Sequence, residues 1–559
     1  MIARRVLPFV LALIAAPVFA QSAAQPTPLP AATRAQAEQD PVLSAMLAEL
    51  ERSEAHLQLT GMQKPYFIEY RIDDVTRYVA SASWGALTGE GETRARIARV
   101  TVRVGDYKSD SSSARGEGSI EIAPLDNNAM GIRFALWSAT DEAYKNALNA
   151  WAQKQADLKA VQTPPQADDF SHQQPTIFLG PVIPLTLDRD DWKQRIVEGS
   201  GLCLTDPTAK AYADEVEESR GEVEGMVRTE YLVNSEGAIV RTSTPEYRAE
   251  VVVEGQAPDG MRLERSFPVT GRDAAELGSA DRFHHGVLSI LDGLHALRQA
   301  PVMGDEYNGP VLFSGSAAAR SFDEFFAHSV VADRPELGAT SRTTGTFATA
   351  YQTRVLPEFL KMVDDPTLTE FDGKELLGAY PIDDEGVPAQ AVTLVDQGKL
   401  VNYLIGREPV KDFPVSNGHG RAMPAGPARP TIGVLRIEAT GGLSEEALTQ
   451  KLIALGKDQG LDSVYLLQTK GGSEARTIYR IKVADGSRQL VRGARTADFD
   501  LRSFRSGIVA AGADSHVDNM YGPVPATIIA PALLFDDVTV ERTQTRNEKL
   551  PYYPPPPQE

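Results

Sequence analysis

The chain folds back on itself at short polar turns, and this constrains its architecture more than any other feature. Asn234-Ser235-Glu236-Gly237 stands between two runs rich in β-forming residues, Met226–Val233 and Ala238–Thr242. Pro258-Asp259-Gly260 likewise separates Tyr247–Val253 from Met261–Phe267. Asx and Gly residues adopt the tight-turn conformations that β-branched residues avoid, so both stretches read as hairpins of an antiparallel sheet. Between Arg94 and Val104 the apolar residues Ala98, Val100, Val102 and Val104 alternate with Arg99, Thr101 and Arg103, the pattern of a strand with one buried face. The closing third repeats the theme at Val464–Gln468, Thr477–Val483, Gln489–Gly493 and Leu533–Val540.

Helices interrupt these strands. Leu43, Met46, Leu47, Leu50 and Leu57 recur at helical spacing and predict an amphipathic helix from Pro41 to Leu57. Thr140, followed by Asp141 and Glu142, has the form of a helix N-cap with a dipole-matched first turn, and Tyr144, Leu148 and Trp151 share one face beyond it. A further helix is expected over Ala274–Leu297, with Val287, Leu291, Leu294 and Leu297 as its buried stripe, and another over Ser444–Leu455. His284 and His285 point about 100° apart on a helix and do not converge on one ion. They and His295 read as surface or structural residues. The fold class is α+β, with mixed or antiparallel sheets.

The ends are different. Arg4 and Arg5 precede an apolar run, Val6–Phe19, too short to span a bilayer, and Val18 and Ala20 occupy the small-residue positions of a signal-peptidase site. The expected organisation is a leader at 1–20, a disordered lead at 21–40, an N-terminal α+β domain at 41–300, a C-terminal domain at 305–545 and a Pro-rich tail at 546–559. An exported, periplasmic protein without a membrane span follows. With 42% apolar residues the chain can fill two such cores. Formal net charge is −20, and −22 once Arg4 and Arg5 leave with the leader, which repels nucleic acid and anionic lipid alike. Cys203 is the only cysteine, so no internal disulfide forms, and Leu202 and Leu204 beside it favour a buried, inert thiol.

Two segments carry the functional signal. One is Phe322-Asp323-Glu324-Phe325-Phe326-Ala327-His328, led in by Gly309-Pro310-Val311-Leu312-Phe313 and followed by Asp333. The other is Gly378-Ala379-Tyr380-Pro381-Ile382-Asp383-Asp384-Glu385-Gly386-Val387-Pro388-Ala389-Gln390, followed by Val392–Leu400 and Tyr403-Leu404. Together with Ser416-Asn417-Gly418-His419-Gly420-Arg421, Tyr521-Gly522 and Pro531–Val540, they resemble the TldD/PmbA family, from Val311 to about Val540. The Gly378–Gln390 run is expected to be a tight turn between strands. Asp383, Asp384 and Glu385, consecutive along the chain, do not converge on a calcium ion. His419 reads as loop structure.

The resemblance implies a two-domain fold with a β-rich C-terminal, metallopeptidase-type domain. TldD-type members hold zinc with His-Glu-x-x-x-His on a helix plus a distant cysteine, and histidines five apart on a helix imply a locally widened turn such as a π-bulge. Carried onto this chain, Glu324 takes the general-base position and His328 the second-ligand position. Asp323 stands at the first-ligand position, where the family has histidine. Tyr521 stands at the cysteine position, a vestigial one, because a phenol of pKa about 10 is a poor zinc ligand. Asp323, His328 and His516 could together make an altered site for zinc or another divalent ion, with Asp518 a further candidate donor. Against this stands a reading with no metal, in which His328 is held by Asp323 or Glu324.

Three functions follow. The first is a non-catalytic, peptide-binding subunit paired with an active TldD-type protease. The second is an active zinc metallopeptidase with an altered ligand set, and the third a stand-alone periplasmic binding or assembly protein. The expected partners are a peptide or unfolded protein, and a second subunit in a homodimer or a heterodimer with a TldD-type paralogue. Nucleophile elbows, phosphate loops, Cys-x-x-Cys pairs and dinucleotide fingerprints are absent from the sequence.

Overall fold

The computed structural model describes residues 32–112, 118–469 and 476–543. The expected leader (1–20), most of the lead and the Pro-rich tail lie outside the described residues. The end of the expected disordered lead is ordered: Thr33 and Gln36 form a reciprocal capping box around a short helix, Arg34–Ala37, and Ala37 is buried. The next helix runs Pro41–His56, with the Asp40 carboxylate accepting from the amides of Val42 (2.9 Å) and Leu43 (3.1 Å).

A first sheet has seven strands, in spatial order 119–122, 86–104, 65–83, 218–234, 239–256 and 177–179, with 262–271 pairing beside 239–256. Among the described residues of this sheet, only the contact of 177–179 with 239–241 is parallel. Both expected hairpins are present, in longer form, because strands Glu218–Asn234, Ile239–Gln256 and Arg262–Gly271 extend each run. Ala98, Val100, Val102 and Val104 share a face with Tyr70 and Ile72 and bury it against helices Pro41–His56 and Ala129–Ala160.

Two expectations change here. The polar face of 94–104 does not look into solvent: Arg99 donates to the Ala425 carbonyl (3.1 Å) and Arg103 pairs with Asp110 (2.9 Å). Thr140 is no N-cap. The helix begins twelve residues earlier, where the Asn128 side chain accepts from the Gly131 amide (2.9 Å). Thr140 is buried inside it, its hydroxyl back-bonded to the Leu136 carbonyl (2.6 Å), the alternative use of a short polar side chain. The helix expected from Ala274 is broken at Gly278 (φ 88°), and Ser279 caps a fresh helix, Ala280–Gln299.

A second, eleven-stranded sheet is organised on Ala526–Arg542, which pairs antiparallel with Tyr307–Phe313 and Ile508–Met520 and parallel with Val434–Ala439. Alternation along these strands sorts the two covering layers. Phe313, Leu533 and Phe535 face the helix Gly315–Phe322, whereas Leu312, Leu534 and Leu466 face the helix Glu445–Asp458. Buried arginines tie this half to the first sheet. Arg407 pairs with Glu236 (2.7 Å) and donates to the Ser171 carbonyl (2.6 Å), and Arg228 joins Asp73 (2.6 Å) to the Ala422 carbonyl (2.7 Å). The fold is α+β throughout. Among the described residues no helix is long and apolar enough to cross a membrane.

Candidate functional site

The site helix lies close on its sheet because Ala317, Ala318 and Ala319 present only methyl groups to it, and Phe322 and Phe326 anchor its far end against Phe504 (ring centroids 5.3 and 5.1 Å). After Phe322 the helix widens into a π-turn, Asp323–Ala327. This is the widening that a functional pair five residues apart requires, since an i→i+5 turn brings such positions back toward one face. Asp323 is half-buried, while Glu324 and His328 are exposed. Burial raises the Asp323 pKa above its ordinary value, with Arg320 and His328 opposing and Glu324 adding to the rise. Glu324 lines a cavity of about 490 Å³ with Phe313, Ser321, Phe325, Arg495 and Asp500.

His516 lies elsewhere. Strand Ile508–Met520 runs antiparallel to Ala526–Arg542, with His516 opposite Ala530, and this sets His516 on the first residue of the site helix. A Cβ on Gly315 would fall 2.5 Å from the His516 Cβ. Gly315 precedes Asp323 by eight residues, about 12 Å of helix, so His516 does not converge with Asp323 and His328. Protein packed around His516 lowers its pKa, with the Lys374 and Arg320 charges acting in the same direction. Among the described residues no three His, Cys, Asp or Glu side chains are grouped as a metal would require.

A cation does sit between helix and strand. The Arg320 guanidinium, one turn before Asp323, meets Asp518 through Nε (2.7 Å) and Nη2 (3.3 Å). Burial raises the Asp518 pKa and Arg320 pulls it back, while Asp323 adds to the rise. Three residues on, Tyr521 turns toward the first sheet, under Arg248 (5.9 Å from the ring centroid) and beside Glu224 and Glu246. Burial and those two carboxylates push its phenol well above the ordinary range. Glu246 is itself only 2% exposed, and burial lifts its pKa to about 7. Arg320, Asp518 and Tyr521 line a second cavity of about 960 Å³, together with Arg248, Lys374 and Glu375.

Sequence reasoning missed Arg320, Glu224 and Glu246. Arg320 carried a faint signal, its i,i+3 relation to Asp323 on one helix face. The two glutamates lie some three hundred residues from Tyr521 and carried none.

The flanking loops are built around carboxylates. Gly378–Gln390, between strands Lys374–Glu375 and Val392–Asp396, contains the expected tight turn, closed by one isolated antiparallel bridge, Ile382 to Pro388. The Asp383 carboxylate accepts from the amides of Glu385 (3.0 Å), Val387 (2.8 Å) and Gly420 (2.9 Å). Asp384 faces Arg421 (3.4 Å) and Arg228 (3.7 Å), and Glu385 accepts from the Arg407 amide (2.7 Å), so the three acids diverge. His419 is fully buried, with Nε2 3.1 Å from Asp364, and holds the loop together. Burial raises the Cys203 thiol to about 11, leaving it an unreactive core residue.

Residues 306–542 match the family model described as the PmbA/TldA metallopeptidase C-terminal domain. The C-terminal part of the chain is a TldD/PmbA-family domain. An Archaeoglobus fulgidus protein named a metalloprotease is 29% identical over 41% of this chain and 49% of its own length. A metalloprotease TldD homologue from Buchnera aphidicola is 24% identical over 42% and 46%. The chain thus spans about half the length of the curated relatives it matches. The fold similarity to solved TldD/PmbA-type structures extends further. TldE from Thermococcus kodakarensis superposes over 89% of this chain and 99% of its own (TM-score 0.57, 14% identity). A Thermotoga maritima protein, a proposed modulator of a DNA gyrase, does so with the same coverage (TM-score 0.58, 14% identity).

Proposed function

We propose that this chain is an exported, non-catalytic TldD/PmbA subunit that binds peptide and pairs with an active TldD-type protease. The observation that carries the reading is the Arg320–Asp518 ion pair beside Asp323, at the place where a metal would link the site helix to the strand before Tyr521. The residues present do not fit zinc. A permanent guanidinium charge repels a divalent ion, the Tyr521 phenol is directed to Glu224 and Glu246, and His516 lies a helix's length from His328. Without a metal, Glu324 has no activated water to deprotonate, and the open cavities along the site helix become binding surface. Similarity to a solved TldE supports pairing within this family. The Met1–Ala20 leader supports export.

The test is metal content of the chain from Gln21 onward, purified without chelator, beside His328→Ala, with peptide hydrolysis measured for both. The expected result is no stoichiometric zinc and no hydrolysis by either protein. About one zinc per chain, lost with His328→Ala and accompanied by hydrolysis, would instead establish the metallopeptidase with altered ligands.

A further inference from the structure

In a chain of net charge −20, the cavity of about 960 Å³ beside the site helix carries a positive spot at one end. Three groups from three elements meet there. Arg320 comes from the site helix. Asp518 takes its Nε and Nη2, and its Nη1 is left without a partner among the described residues. Lys374 comes from the hairpin Glu370–Glu375, whose two short strands pair with each other. His516 stands exposed on strand Ile508–Met520, and the two charges that act on its ring, Lys374 and Arg320, are both positive. Among the described residues the side chains of His516 and Lys374 make no hydrogen bond or ion pair. The hairpin sorts its charges by face. Phe371 and Lys374 are directly opposite and share one face, and Phe371 packs on the cluster that contains Val517, the neighbour of His516. Glu370 and Glu375 take the other face, where Glu375 meets Glu276. The lysine is therefore turned to the His516 end and the carboxylates away from it.

We infer that this end of the cavity holds the C-terminal carboxylate of a peptide, with Lys374, His516 and Arg320 as its donors. The inference rests on the peptide-binding reading above and names the group by which the peptide is held. The spacing suits a carboxylate. His516 and Asp518 lie two residues apart on one strand face, about 6.6 Å, and Arg320 is held at Asp518. One carboxylate bridges that separation with charge-assisted hydrogen bonds of about 2.8 Å to either side. The guanidinium and the ammonium supply charge, and a neutral imidazole still offers one N–H. The position suits a chain end. On this strand the lining starts at His516 and runs through Met520 to Tyr521. At His516 the site helix closes on the strand, since a Cβ on Gly315 would fall 2.5 Å from the His516 Cβ. An extended peptide lying along 516–521, at about 3.3 Å per residue, therefore has room for some five residues and stops at the donors.

Isothermal titration calorimetry of the chain from Gln21 onward can compare three acetylated pentapeptides of Ala, Leu and Phe. One has a free C-terminus, one is amidated, and one is amidated with Glu as its last residue. The free acid should bind at least tenfold more tightly than either amide. Lys374→Gln, a change at an exposed position, should reduce that preference below threefold, and His516→Gln should do the same, while affinity for the plain amide stays within twofold. Equal affinity for acid and amide would overturn the inference. Equally tight binding of the Glu-ended amide would overturn it too, by making the site a reader of acidic side chains. A second measurement separates this inference from the peptide reading. N-acetylalanine, a carboxylate with no chain to bind, should shift the His516 ring resonances, identified by their loss in His516→Gln, and Lys374→Gln should weaken that response. The shift without binding of any peptide would refute the peptide-binding subunit and uphold the carboxylate site. Peptide binding without the shift would do the reverse, and the absence of both would refute both.

Discussion

Replacing Arg320 by Met removes the charge and keeps most of the stem, so it isolates what the guanidinium contributes. Arg320 is 28% exposed and Asp518 16% exposed, between the surface and buried regimes. Exposed pairs contribute about 0–1 kcal/mol, and leaving one partner of a fully buried pair alone costs about 3–5 kcal/mol. This geometry places the loss near ~2 kcal/mol. For a domain of this size that lowers Tm by roughly 4–8 °C. The loss should depend on pH. Without Arg320 the Asp518 and Asp323 carboxyls, already raised by burial, rise further. A carboxyl whose folded pKa exceeds its unfolded one contributes stability below the unfolded value and loses it as pH climbs through the folded one. Arg320→Met should therefore be more damaging at pH 8 than at pH 5. A thermal-melt double-mutant cycle with Asp518→Asn should return a coupling of about 1–2 kcal/mol, with the double variant more stable than Arg320→Met alone at pH 8. A coupling below about 0.5 kcal/mol, in the range of independent sites, would refute the claim that this pair joins helix to strand.

Two further perturbations test the surroundings. A Cβ at Gly378 would collide with the Gly433 carbonyl oxygen and come within 2.6 Å of the Thr527 amide. Gly378→Ala should then cost about 3 kcal/mol or more, read as lost soluble yield or a lower Tm. Glu246, with its pKa raised to about 7 by burial, contributes stability that is complete below pH ~4.5 and lost as pH rises through 7. Glu246→Gln should flatten the decline of Tm between pH 5 and 8, and an unchanged slope would place the titration elsewhere.

The sheets were legible because alternation and turn chemistry are local. The strand over 94–104, both hairpins and the Ser444-capped helix are each marked by alternation, turn residues or a cap within the segment itself, although the strands go on to pair with residues up to about forty positions away. What covers a face is not local. Arg99 and Arg103 alternate as solvent-facing residues do, yet they are buried because loop residues some three hundred positions later lie over them. Thr140 failed as a cap for a related reason: the same hydroxyl satisfies a helix start or a helix interior, and only the preceding Asn128 distinguishes the two. The π-turn at Asp323–Ala327 was implied by a spacing of five. The placement of His516 was not, since it depends on a strand register that sequence neighbours of Tyr521 do not reveal.

That register also bears on what the site can become. A zinc ion with donors on the helix and on the strand before Tyr521 would be a joint that acid or a chelator can open. Arg320 makes the same joint with a group that stays charged at every pH the fold survives. Restoring histidine at 323 and cysteine at 521 would therefore be insufficient for a metal site. The guanidinium would remain in the electrostatic space of the ion, and Asp518 would already be engaged. Zinc should bind Arg320→Met/Asp323→His/Tyr521→Cys at least tenfold more tightly than Asp323→His/Tyr521→Cys, which keeps Arg320, measured by competition with a chromophoric chelator. Equal affinities would mean that Arg320 is a bystander and that the ligand replacements alone separate this chain from a zinc-holding relative.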